Sequence, residues 1–75
     1  MNGLIEDIKE NAKGLSIEDE ETLVSSLEVI KEESKSVNPR KGFIKTAIKG
    51  LQTIKGTVEF AGATATLIQF IQPML

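Results

Sequence analysis

Apolar positions along the chain recur at helical spacings, three and four residues apart. Leu4, Ile5, Ile8 and Ala12 share one helical face and predict a short helix over 2–13. Lys13 falls in its last turn, where a cation suits the helix dipole, and Gly14 stands just past its end. A second stripe, Leu23, Val24, Leu27, Ile30 and Ser34, predicts a helix over 16–36. Ser16 is its expected cap, with a hydroxyl that accepts from the amide of Glu18 or Asp19. Glu18, Asp19, Glu20 and Glu21 then crowd negative charge at the positive end of the dipole. Val37-Asn38-Pro39-Arg40 reads as the next turn, because proline disfavours helical geometry at the residue before it. Pro39 suits the first position of the following helix, with Asn38 as its cap. So short a connection sets the flanking helices antiparallel.

From residue 40 to Ile71 the pattern predicts one long helix, ended by Pro73. Unbroken, it would reach about 45 Å, against about 30 Å for the helix over 16–36. It must therefore bend near Gly56 or project beyond its partner. Its first half is amphipathic, with Phe43, Ile44, Ala47, Ile48, Leu51 and Ile54 set against Lys41, Lys45 and Lys49. Its second half, Phe60 to Ile71, carries no charge. A helix apolar on every side needs burial on every side. The expected fold is all-α: a short leading helix, then an antiparallel helical hairpin, in one domain over 1–75 that assembles into an oligomeric bundle. Ala61, Gly62, Ala65, Thr66, Leu67, Ile68, Phe70 and Ile71 are the expected self-association residues. Among them Gly62 with Thr66, and Ala61 with Ala65, are small residues four apart, which let helix backbones approach closely.

Size sharpens this expectation. A chain of 75 residues buries only about 60% of its unfolded surface, so one core is marginal. With no cysteine and no histidine, it lacks disulfides, thiolate metal sites and the commonest metal ligand and general base. Oligomerisation is the staple left. Absence of cysteine, and of a basic start followed by an apolar run, sets the expected location as cytoplasmic.

Net charge is −2, unevenly placed. Residues 1–36 hold ten acids and four lysines, a balance of −6; residues 37–75 hold five bases and Glu59, a balance of +4. Two halves of opposite sign favour folding back, or head-to-tail contact between copies. Lys41, Lys45 and Lys49 form a basic stripe that could meet an anionic surface, although its main reading is a solvated face beside the acidic helix. With no interleaved aromatics and a negative net charge, nucleic acid is not an expected partner. Lys55 and Glu59 are expected to pair across one helical turn; the alternative is that Glu59 is a buried register marker in an oligomer. Gly50 and Gly56 each cost about 0.5–1 kcal/mol against alanine inside a helix, and with Gly42 and Gly62 they are expected under packed neighbours. The serines and threonines have no base to activate them, so neither catalysis nor a cofactor is expected.

The stretch from Gly42 to Phe60, with its Lys-Gly start and its Ile48-Lys49-Gly50 and Ile54-Lys55-Gly56 steps, resembles the C-terminal helical tails of bacterial phage-defence proteins of the abortive-infection type. The acidic helix with Leu23, Val24, Leu27 and Ile30 is similar too, and the likeness spans about Ser16 to Ile71. In such proteins the tail follows a larger effector part. The resemblance implies an association module, either cut from such a protein or kept alone in a small relative. The expected function is thus a non-enzymatic self-association module in antiviral defence. A membrane-active defence effector, with Lys41, Lys45 and Lys49 at lipid head groups, is the first alternative. An adaptor that completes a partner's bundle is the second.

Overall fold

The computed structural model describes residues 2–75. Four α-helices are present: α1 Asn2–Asn11, α2 Ile17–Lys35, α3 Lys41–Thr53 and α4 Val58–Ile71, followed by a 3-10 turn over Gln72–Met74 that contains Pro73. The all-α class and the first two helices agree with the pattern in the sequence. The single helix over 40–71 does not exist; it is two helices, α3 and α4.

Local chemistry explains each boundary. α1 stops two residues earlier than expected, with the Asn11 side-chain amide donating to the Asp7 carbonyl at 2.8 Å. Its last-turn cation is therefore Lys9 rather than Lys13. Gly14 adopts φ +73°, a left-handed conformation open to glycine at little cost, and so turns the chain toward α2. Ser16 caps α2 as expected, accepting from the Asp19 amide at 3.1 Å. α3 starts later than expected. Arg40 is extended (φ −84°, ψ 97°), which leaves Pro39 outside the helix and gives Asn38 no capping role. Instead the Asn38 amide donates to Ser36 Oγ at 3.2 Å, closing the turn.

The break between α3 and α4 has three contributors. Thr53 Oγ1 donates back to the Gly50 carbonyl at 2.7 Å, a local bond that competes with the helical ladder. Ile54 is extended (φ −77°, ψ 128°). Thr57 then caps α4, its hydroxyl accepting from the Phe60 amide at 3.2 Å. Between them the Phe60 ring lies on Gly56 so closely that a β-carbon there would sit 2.6 Å from Phe60 Cδ1.

Because of this break α4 folds back. α2 packs mainly on α3, and α1 mainly on α4. The hairpin of α2 and α3 is antiparallel: Gly50, late in α3, lies against Thr22 and Ser26, early in α2, while Arg40 meets Glu33 near the other end. One core joins Ile5 and Ile8 of α1, Leu23, Leu27 and Ile30 of α2, Ile44, Ala47, Ile48 and Leu51 of α3, Ile54, and Phe60, Leu67 and Ile71 of α4. The longest extent is 35 Å, well short of what an unbroken third helix would need.

This arrangement corrects the argument that the apolar carboxyl-terminal half requires a second copy for shelter. Phe60, Leu67 and Ile71 are 2%, 0% and 0% exposed within one chain, with α1 on the same core. The buried stripe of α2 also differs from expectation. Ser26 and Glu33 are buried, Val24 is exposed, and Ser34 is only partly covered.

Candidate interaction surfaces

Three features are left on the surface by this packing. The first is the outward side of α4. At 100° per residue, Phe60, Thr64, Leu67 and Ile71 face inward, and Val58, Gly62, Ala65 and Gln69 form the opposite stripe. Both stripes repeat at four, three and four residues, the spacing of a helix-packing seam. Ala61 and Thr66 flank the outward seam, and Phe70, half-exposed, lies beyond Thr66. The Thr66 hydroxyl donates to the Gly62 carbonyl at 3.0 Å, so it presents its methyl to the surface without an open donor. Glu59 is the only ionisable residue on α4, in a chain whose charged fraction is 27%.

Of the expected self-association residues, Ala61, Gly62, Ala65, Thr66 and Phe70 are therefore exposed. Leu67 and Ile71 belong to the core of the single chain, and Ile68 is partly buried against it. Val58 and Gln69 were missed as seam positions, because the seam is visible only once the inward stripe of α4 is known. Lys55 lies in the break, outside α4, and makes no ion pair with Glu59 among the described residues. Glu59 is exposed in the first turn of α4, where it complements the dipole. Gly62 and Gly42 have no neighbour within 4 Å of an added β-carbon, so the expectation of packed glycines holds only at Gly50 and Gly56.

The second feature is a groove of about 720 Å³ between α2 and α3. Glu18 and Glu21 line it toward the start of α2, and Val29 and Phe43 toward the turn. Ser26 and Ala47 are its buried lining residues and form its floor, with partly buried Gly50 against Ser26. Beside it, sharing Glu21 and Ser25, lies a smaller depression that includes exposed Ile17 and Val24.

The third feature is the node that sets the turn. The Glu33 carboxylate accepts from the Arg40 backbone amide at 2.8 Å and from Arg40 Nε at 3.0 Å, and pairs with Nη2. It thus supplies from α2 the acceptor that Asn38 does not supply at the start of α3. The Arg40 guanidinium lies 4.1 Å from the centroid of the Phe43 ring. The Arg40 side chain and backbone amide, as donors, hold the Glu33 carboxyl below the usual carboxylate range, and burial opposes them. The Arg40 pKa is raised by the same side-chain bond. Glu33–Arg40 is the only ion pair among the described residues, so the acids of α2 and the exposed Lys41, Lys45 and Lys49 do not neutralise one another across the hairpin.

No helix of the described residues is long and apolar enough to cross a membrane. No model of a protein family, curated protein sequence or solved structure matches the chain.

Proposed function

We propose that the chain is a helical self-association module that pairs through the outward seam of α4. The single observation that carries this reading is a 14-residue helix whose exposed side is almost free of charge and lined by small residues in packing register. The seam is also self-complementary. In an antiparallel two-fold pair centred between Gly62 and Ala65, Gly62 meets Ala65, Ala61 meets Thr66 and Val58 meets Gln69. Every contact occurs twice, as a two-fold interface requires, and small residues fall at the crossing point, where backbones approach most closely. Opposed helix dipoles favour the same orientation.

Two helices of about 21 Å offer less than the roughly 800 Å² per partner of a standard interface. The association is therefore weak in isolation and gains strength when copies are tethered or clustered. That behaviour suits a module that gathers attached or bound proteins, and the resemblance to defence-protein tails supports antiviral defence as the setting.

Light scattering across a concentration series tests the reading. A dimer should populate with rising concentration, and Ala65→Glu should abolish it while leaving the helical circular-dichroism spectrum unchanged. A mass that stays at one copy up to about 1 mM, where even a standard free energy of about −4 kcal/mol would register, ends the idea. Orientation has its own test in a chain without cysteine. Val58→Cys mixed with Gln69→Cys should form disulfide-linked heterodimers. Val58→Cys alone should not, because its two copies would lie about 16 Å apart, beyond the reach of about 7 Å for a disulfide.

A further inference from the structure

We infer that the α2–α3 groove is a docking site for a cationic amphipathic segment of another protein, with its basic residues at the Glu18–Glu21 end and its apolar residues at the Val29–Phe43 end. Charge is the first support. Glu18 and Glu21 have no salt-bridge partner within the chain among the described residues, so the groove carries two exposed carboxylates open to a cation at one end. Ser26 is the second, independent support. It is 7% exposed on the groove floor, and its hydroxyl has no hydrogen-bond partner among the described residues. The Ser34 and Thr64 hydroxyls are also without partners but fully enclosed; that of Ser26 opens into the groove, where an incoming donor or acceptor can reach it.

Gly50 keeps the floor clear. A β-carbon there would lie 2.7 Å from Ser26 Oγ and would occupy the space above it. At the far end Phe43 is half-exposed and is held in place by Arg40, which Glu33 in turn holds. The groove therefore has a rigid apolar end and a soft acidic one. From Glu18 to Val29 it runs about 16 Å, the length of three turns of helix. A second copy does not fit this description. Its basic stripe, Lys41, Lys45 and Lys49, has its exposed apolar neighbours, Val37 and Phe43, at the Lys41 end, alongside the charge, so it does not divide into a basic half and an apolar half.

The test uses the whole chain and a fluorescein-labelled helical peptide of about twelve residues, with lysines in its first half and leucines in its second. A matched peptide with glutamate for each lysine is the control. Titrations are read by anisotropy and by amide chemical shifts, in parallel on the wild-type chain and on the Ala65→Glu variant, so that failure of α4 pairing stays separate. The expected result is saturable binding of the lysine peptide alone, with shifts over Glu18–Val29 and Phe43–Gly50. The exposed double variant Glu18→Gln/Glu21→Gln should weaken binding about tenfold, and Gly50→Ala should weaken it with the fold intact by circular dichroism. Four results each overturn the proposal: no binding of the lysine peptide, equal binding of the glutamate peptide, shifts confined to α4, or affinity unchanged in the double variant. Groove shifts on simple dilution of the protein would assign the groove to a second copy and overturn it as well.

Discussion

Glu33 shows how one side chain can replace a local signal. Asn38-Pro39 reads as a helix start, yet α3 takes its first acceptor from a carboxylate seven residues before Arg40 in sequence. Because donors from Arg40 lower its pKa, Glu33 contributes stability that is fully present above the ordinary carboxylate pKa. That contribution is lost as pH falls through the lowered, folded-state value. Glu33→Gln should therefore lower the melting temperature at neutral pH and flatten its decline across the acid range, as thermal melts from pH 7 down to pH 2 would show. An equally steep acid decline in the variant would assign the sensitivity to other carboxylates. Thr64 is the opposite case, a buried hydroxyl without a partner inside α4. Replacing an orphaned polar group by an apolar one of the same shape removes its desolvation cost. Thr64→Val should stabilise the fold by about 1 kcal/mol, or raise the melting temperature by about 4–8 °C. A fall in stability would mean that the hydroxyl is satisfied by water.

At the scale of elements, the break over Ile54–Thr57 decides how the chain is used. The signals for it were present but outweighed: glycine then threonine, with an acid two residues on, is a helix start, while the apolar periodicity runs on through it. Periodicity reports which face is apolar and does not report continuity, so a pattern common to two helices reads as one. Thr57→Ala should cost about 1 kcal/mol through the lost cap. Gly56→Ala should cost about 1–3 kcal/mol, because the added methyl meets Phe60, which is buried and has nowhere to move. Urea denaturation measures both. If Gly56→Ala were stabilising, a straightened α3–α4 helix would be the lower state and the break would be incidental. Gly50 illustrates a feature that the sequence signals without specifying: its cost inside a helix marks a close approach, but only the packing shows that Ser26 is what approaches.

For the whole molecule, α1 is the decisive element. It is short, and alone it would be marginal, yet it packs on α4 and shares the core with the apolar side chains that seemed to need an outside partner. Ile8 is fully buried in that core. Ile8→Ala should cost about 2–5 kcal/mol, a large part of the roughly 4–11 kcal/mol available to a domain of this size. With Phe60, Leu67 and Ile71 then uncovered, the variant should bind a hydrophobic dye and scatter light in proportion to concentration. A variant that melts like the parent would show that α4 is held by other contacts.

From residue type and spacing alone, the chain specifies helices, the cap at Ser16, a glycine turn between α1 and α2, and the inward faces of α1 and, apart from half-exposed Phe43, of α3. These depend on neighbours within a few residues, and short-range sterics and hydrogen bonding settle them. The sequence also marks α4 as needing cover, since an uncharged helix cannot stay in water on all sides. Which molecule supplies that cover is a question of distance along the chain: Ile5 and Ile8 lie more than fifty residues before Phe60. Only the tertiary structure, by breaking the helix at Gly56 and folding α4 back, brings them into one core and leaves the small-residue seam of α4 facing outward.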